Sequence, residues 1–238
     1  MDVATVRERP DLIGPAWELT RDTLPEYNNH GDVLNRYWPR LTDELPDFQF
    51  DLVDAGEPVA RARSIPIRWD GSLADLPAGI DGAIARGFDE GGASVLCALV
   101  IMVPRAVQSQ GLSRSAVEAM LDIAARHSLR GVIAPVRPSF KERYPLTPIE
   151  RYASWTRDDG LPFDPWMRVH ARLGAEILKP EPRSLHITGG VDEWEAWTDT
   201  AFPEDGEYVF PHCLAPLTVR SGRGEYWEPN VWMHHRAP

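Results

Sequence analysis

The sequence is poor in cysteine, in lysine and in long apolar runs. Its two cysteines, Cys97 and Cys213, cannot make a disulfide framework, and Cys97 lies inside an apolar run as a small core residue does. The longest apolar run, residues 95–103, is too short to span a bilayer. The first residues lack the apolar stretch of a signal peptide. These absences predict a cytoplasmic protein with no membrane partner.

Positive charge is also scarce. The chain carries 36 Asp and Glu against 25 Lys and Arg, which gives a net charge of −11. A diffuse negative surface repels nucleic acid and anionic membranes, so neither is an expected partner. A hydrophobic content of 43% over 238 residues is enough for one sizeable core. We therefore expect one domain over residues 1–238.

Local patterns predict most of the elements in the first half of the chain. Residues 1–30 are polar and rich in turn residues, which predicts an irregular N-terminal segment. Residues 48–52 alternate in polarity and residues 59–67 follow after a turn, so the two form a strand hairpin. Helices are expected over residues 32–45 and 73–86.

A buried strand, a helix and a second strand follow. Residues 94–103 are apolar on both faces, as in a central strand covered on two sides. A helical stripe runs from 112 to about 130, with Ser113 as a possible N-cap and Ser115 with Glu118 as a rival capping box. Residues 132–136 form the next strand, which completes a right-handed βαβ unit.

The remainder combines a Pro- and Trp-rich stretch with short strands. Residues 137–163 interrupt the pattern, and the pair Asp164-Pro165 then fits the start of a helix ending near Gly174. Five strands are predicted beyond it, over residues 176–178, 184–188, 208–210, 214–219 and 226–232.

The loop between the buried strand and the long helix has the chemistry of a phosphate site. It contains Gln108, Ser109, Gln110, Gly111, Leu112 and Ser113. Unpaired backbone N–H groups and the positive end of the helix dipole suit a pyrophosphate, and Gly111 lets the backbone approach it closely. An ordinary turn with a glycine is the alternative interpretation of the loop alone.

In context, the loop resembles the coenzyme A pyrophosphate motif of the GCN5-related N-acetyltransferases (GNAT). Gln108, Gly111 and Ser113 stand at its three marked positions, with Ser113 in place of the usual Gly or Ala. Residues 169–176 resemble the L-Y-E-K-L-G-F segment of that family, and the early hairpin resembles its second and third strands. The similarities cover roughly residues 31–190, and the chain is identified as a divergent bacterial member.

The resemblance implies a GNAT-like three-layer α/β sandwich, with a mixed central sheet between helices. Residues 137–163 would be an insertion after the fifth strand, and the C-terminal part would be extended. Acyl-CoA, carrying acetyl or a longer acyl group, is the implied co-substrate. Its pyrophosphate would bind the 108–113 loop. A bulge in the fourth strand, expected near Met102 and Val103, would polarise the thioester carbonyl.

The same resemblance places His170 where the family has the tyrosine that reprotonates the thiolate, and Tyr144 is a rival donor. Many members carry a catalytic carboxylate on the fourth strand, but residues 95–103 contain none. Asp164, Glu193 and Glu228 are the remaining carboxylates considered as bases.

A second constellation suggests zinc chemistry instead. Imidazole and thiolate are zinc ligands, but no compact spacing links the residues concerned, so no metal is expected. These residues are His212, Cys213, His234 and His235.

The sequence thus predicts an acyl-CoA-dependent N-acyltransferase acting on an amine of a small molecule. Two alternatives stay open: a non-catalytic acyl-CoA-binding or scaffold protein with this fold, and acyl transfer from a carrier-protein thioester. The acceptor and the acyl chain length are not specified by the sequence, and a homodimer is left open.

Overall fold

A computed structural model describes residues 1–108 and 110–236. The first half contains β1 (Asp2–Thr5), α1 (Ile13–Thr20), α2 (Leu34–Tyr37), α3 (Arg40–Glu44), β2 (Gln49–Asp54), β3 (Glu57–Ile67), α4 (Gly79–Asp89), β4 (Val95–Met102) and α5 (Leu112–Arg126). The second half contains β5 (Gly131–Val136), α6 (Ile149–Ala153), α7 (Pro165–Arg172), β6 (Glu176–Gly190), α8 (Val191–Thr198), β7 (Gly206–Tyr208), β8 (Leu217–Arg220) and β9 (Arg223–Arg236).

The first four strands form an antiparallel meander at one side of the sheet. β1 pairs with β2, β2 with β3 and β3 with β4, and the crossover through α5 makes β5 parallel to β4. The N-terminal segment predicted as irregular therefore contains an edge strand, β1, and a helix, α1, that packs on β3. The prediction was wrong here because a strand of four residues depends on hydrogen bonds to its partner, β2, and local sequence does not reveal that pairing.

The last strand of the chain lies inside the sheet. One edge of β9 pairs with β6. Along the other edge, the N-terminal end of β9 pairs with β8 and the C-terminal end of β9 pairs with β5. All of these pairings are antiparallel. The two strand pieces predicted at 176–178 and 184–188 are one strand, β6, whose register shifts between Glu181 and Leu185. The central sheet is consequently mixed, as predicted.

Helices cover both faces of this sheet, so the three-layer sandwich is confirmed. On one face, α2, α3, α4 and α8 enclose a core that includes Cys97, Ile133 and Trp232. On the other face, α5 packs against β2 to β4, while α6 and α7 pack against β5 and β9. Strand β4 contributes to the cores of both faces, which explains its apolar sequence.

Several helix boundaries differ from the predictions. The helix predicted over 32–45 is two short helices separated at Pro39. The long helix ends at Arg126, not at 130, and Gly111 is its N-cap in place of Ser113. Gly111 has φ 81°, a left-handed conformation that favours glycine. The inserted residues 137–163 include α6 and pack on the sheet through the aromatic side chains of Tyr152 and Trp155.

Candidate functional site

Strands β4 and β5 separate towards their C-terminal ends. Their ladder contains only the pairs Leu96–Val132 and Cys97–Ile133. Beyond Cys97, β4 pairs with β3 alone, and β5 pairs with β9 as far as Val136. The β5-facing amide groups of β4 beyond this point therefore have no ladder partner. A wedge opens in the sheet, and an extended ligand could enter it and bond to these groups.

A bulge lies at the base of the wedge. The β3–β4 register shifts so that Arg63 pairs with Val100 while Ser64 pairs with Ala98, which leaves Leu99 as the extra residue. The sequence predicted the bulge near Met102 and Val103, but it lies three to four residues earlier in the strand. The apolar run gave no local signal for the bulge, because glycine and polar residues are absent from it. Met102 and Val103 are both buried at the outer end of the strand.

The loop after β4 leads into the N-terminus of α5. Gln108 donates from its side-chain Nε2 to the backbone carbonyl of Val103, 3.2 Å away, which ties the loop to the end of the strand. Among the described residues other than Gly111 and its two chain neighbours, no heavy atom lies within 4 Å of the position that a Cβ of Gly111 would occupy. No side chain of the described residues caps the start of α5, so its first N–H groups are available to an anion. Ser109, one of the predicted loop residues, lies outside the described residues.

His170 projects from α7 onto the sheet and pairs with His235 of β9. The Nδ1 of His170 and the Nε2 of His235 are 2.8 Å apart, and the two side chains are 3% and 2% exposed. Burial, together with the neighbouring His235, lowers the pKa of His170 to about 3, and burial lowers the pKa of His235 to about 4. Both imidazoles are therefore neutral at neutral pH, and His170 has no imidazolium proton to give to a thiolate.

Tyr144 lies in the insertion, on the same face of the sheet as α7. Its ring makes edge contacts with Trp155 at 5.0 Å and with Phe163 at 6.0 Å between centroids. This aromatic group packs against a core that also contacts Ala98, the first residue of β4 beyond its ladder with β5. Tyr144 is half-buried.

A buried polar network on the opposite face was not predicted as a unit. Glu228 of β9, 2% exposed, accepts hydrogen bonds from Arg137 Nε at 2.7 Å, Asn28 Nδ2 at 3.0 Å, Tyr27 Oη at 3.1 Å and Tyr226 Oη at 3.2 Å. Burial lowers the pKa of Arg137, but the Glu228 carboxylate outweighs burial and raises it overall. Arg137 directly follows β5, so this network borders the wedge. The five residues come from three segments that are far apart in sequence, around residues 27, 137 and 227, which is why no local signal revealed the network.

The other two carboxylates considered as bases are helix caps. Asp164 accepts hydrogen bonds from the backbone N–H groups of Trp166 and Met167 at the start of α7. Glu193 accepts from the backbone N–H of Gly190 at the start of α8. Both are committed to helix ends, so neither is a free base.

The residues considered as zinc ligands are not brought together. His212 contacts Glu142, Cys213 accepts from the backbone of Phe210, His234 packs against Trp69 and His235 pairs with His170. Over residues 1–108 and 110–236, no three His, Cys, Asp or Glu side chains are grouped as a metal site. Within that same part of the chain, no helix has the length and apolarity needed to cross a membrane.

A scan against models of known protein families finds no match. Among curated proteins, the arginine N-acetyltransferase avaD of Aspergillus versicolor is 28% identical over 270 residues, covering 97% of this chain and 92% of that protein. That relative is fungal, so the comparison does not show the bacterial origin that was expected.

Two solved structures share the fold over their whole length. The loading GNATL domain of CurA from Lyngbya majuscula aligns with a TM-score of 0.62 at 19% identity, covering 99% of this chain and 97% of that domain. The GNAT-like decarboxylase GphF, solved with isobutyryl-CoA, aligns with a TM-score of 0.64 at 18% identity, covering all of both chains.

Proposed function

From the GNAT-like fold of this chain, we propose that it is an acyl-CoA-dependent N-acyltransferase that acts on an amine of a small molecule. The observation that carries the proposal is the wedge between β4 and β5, with its bulge at Leu99 and the open N-terminus of α5 beyond it. The similarity to an arginine N-acetyltransferase over nearly the whole chain supports the same activity. The acyl group is acetyl or a longer chain.

In this proposal acyl-CoA binds along the wedge. The N–H groups of Gln110, Gly111, Leu112 and Ser113 hold the pyrophosphate, with Gln108 beside them. The pantetheine arm passes Val103 and Met102 and bonds to the unpaired amides of β4. A backbone N–H at the bulge then polarises the thioester carbonyl, where negative charge develops during attack by the amine.

The amine nitrogen forms a bond to the carbonyl carbon, and the bond from that carbon to sulfur breaks. We assign protonation of the leaving thiolate to Tyr144, whose phenol hydroxyl is an O–H donor. His170 is neutral and hydrogen-bonded to His235, and we propose that it is a positioning residue that holds α7 against β9. Because Asp164, Glu193 and Glu228 are all engaged, we propose that water takes the proton of the amine and that a proton from water restores the Tyr144 hydroxyl.

Thermal melting with acyl-CoA tests the cofactor site. A ligand at 100 times its Kd stabilises the native state by about 2.7 kcal/mol, so acetyl-CoA should raise Tm by several degrees. Gly111→Trp should abolish the shift because the side chain fills the open space at the start of α5. Gly222→Trp is the matched control, since Gly222 also has a positive φ (75°) and open surroundings but lies in the turn between β8 and β9.

Release of free thiol in the presence of amines tests the transfer step. Tyr144→Phe should lower kcat by about 10²–10⁴-fold with little change in the acyl-CoA melting shift. A melting shift without turnover of any amine would favour a binding or scaffold protein. The absence of a shift with coenzyme A, acetyl-CoA and longer acyl-CoA would contradict coenzyme A as the ligand.

A further inference from the structure

Three charged side chains are buried beneath α1. Asp51 of β2 is 2% exposed, and Arg61 and Arg63 of β3 are 6% and 1% exposed. Arg63 Nη1 lies 3.3 Å from Asp51 Oδ1, while the guanidinium of Arg61 lies 5.5 Å from the centre of the Trp17 ring. With two positive charges and one negative charge, this cluster has one unbalanced positive charge.

Much of the hydrogen-bonding capacity of the two guanidinium groups is unused. Arg61 Nε and Nη1 and Arg63 Nε and Nη2 are buried and have no hydrogen-bond partner among the described residues. Burial, with repulsion from Arg61, lowers the pKa of Arg63 to about 10, and burial also lowers the pKa of Arg61. Buried charged donors without acceptors are costly, so the cluster favours an added anion.

The cluster adjoins the place where β4 opens. In the β3–β4 register, Arg63 pairs with Val100 and Arg61 with Met102, so the side chains of each pair lie on the same face. Neighbouring strands are about 4.8 Å apart, so the arginines lie one strand away from the bulge at Leu99.

We infer that Arg61 and Arg63 form a binding site for a carboxylate carried by one of the two reactants. A guanidinium and a carboxylate match as two parallel hydrogen bonds, and one carboxylate balances the charge of the cluster. The inference rests on the proposed acyl transfer. The carboxylate belongs either to an amino-acid acceptor or to a dicarboxylic acyl group, and the two sources are tested separately.

The acceptor arm compares L-arginine with agmatine, which lacks the carboxylate. Acetyl transfer to L-arginine should have a kcat/KM at least tenfold above that for agmatine. Arg61→Met should remove this preference by lowering kcat/KM for L-arginine, because Met keeps only the apolar stem of the arginine side chain and has no hydrogen-bond donor, while the Asp51–Arg63 pair stays. Arg40→Met is the control, since Arg40 of α3 also lies over an aromatic ring, Phe88.

The acyl arm compares malonyl-CoA with acetyl-CoA by the melting temperature of the native protein. If the carboxylate belongs to the acyl group, malonyl-CoA should raise the melting temperature more than acetyl-CoA does. In Arg61→Met the shift with malonyl-CoA should fall to the value for acetyl-CoA. Both comparisons can be made without turnover. L-arginine and agmatine can also be compared by the shift in melting temperature that each causes when coenzyme A is bound. If no amine is acetylated yet a carboxylate ligand still binds through Arg61, the proposed activity fails and the site stands.

Equal kcat/KM and equal shifts for both members of each pair would overturn the inference. The native protein alone gives this result, so it does not depend on the folding of a variant. A preference for the carboxylate ligand that survives Arg61→Met and Arg61→Gln in folded protein would overturn it as well.

Discussion

At the scale of single residues, the His170–His235 pair couples the sheet to α7 without carrying charge. The unperturbed histidine pKa is about 6.5, whereas the folded values are about 3 and about 4. Between these values the unfolded chain binds protons that the folded protein does not. The pair therefore contributes stability that is fully present above about pH 6.5 and is lost as pH falls towards 4.

We expect Tm to fall between pH 6.5 and 4.5, and His170→Gln to make this fall shallower. The amide that replaces the imidazole in this variant can still hydrogen-bond to His235 but takes up no proton in this range. His30→Gln is the control, because His30 lies near the surface beside Glu26. Melting curves at half-unit intervals of pH measure the difference, and parallel curves for the native protein and His170→Gln would contradict the assignment.

At the scale of elements, Asp164 joins α7 to the insertion. One carboxylate oxygen caps α7, while the other accepts from the backbone N–H of Phe140 and the hydroxyl of Tyr152, both at 2.8 Å. Asp164 is 1% exposed, so its removal leaves several buried donors without an acceptor. The start of α7 and the fold of the insertion therefore depend on the same side chain.

Asp164→Ala should lower the free energy of unfolding by about 3–5 kcal/mol, whereas Glu193→Ala should cost about 0.5–1 kcal/mol. Glu193 is the comparison because it also caps a helix but is exposed to solvent. Urea unfolding of both variants gives the two values. Similar small losses would show that the insertion is held by its aromatic packing instead of by Asp164.

Patterns within one element predicted β2 to β5 and α7, because alternation, apolar runs and the Asp164-Pro165 pair act locally. They could not predict that Arg61 and Arg63 are buried. In a strand that alternates in polarity, arginines indicate a solvated face, but here α1 packs on β3, and it comes from a segment whose own sequence predicts no structure. The bulge at Leu99 was misplaced for a similar reason, since it is defined by the partner strand.

At the scale of the whole molecule, the sheet depends on its last strand. β9 separates β5 from β6 and carries Glu228, Trp232 and His235 into three different packing environments. Its partners in β5 lie about a hundred residues earlier, so sequence patterns that identify it as a strand say nothing of its position.

Removal of residues 223–238 should prevent cooperative folding, whereas removal of residues 1–6 should leave a folded protein with a lower Tm. The reason is that β9 has partners on both edges, but β1 is a four-residue edge strand with one partner. Circular dichroism melting compares the two truncations. A cooperative transition in the C-terminal truncation would show that the remaining strands form a stable sheet alone.

The place of β9 also determines when the nascent protein can mature. At about 5–20 residues per second, the pairing residues of β9 leave the ribosome roughly 5–20 s after those of β5. Throughout that time β5 presents an unpaired edge to its surroundings, and such an edge can pair with a neighbouring nascent chain. The emergence of β9 is therefore the event that closes the sheet, and cells that overproduce this protein should need holdase chaperones until then.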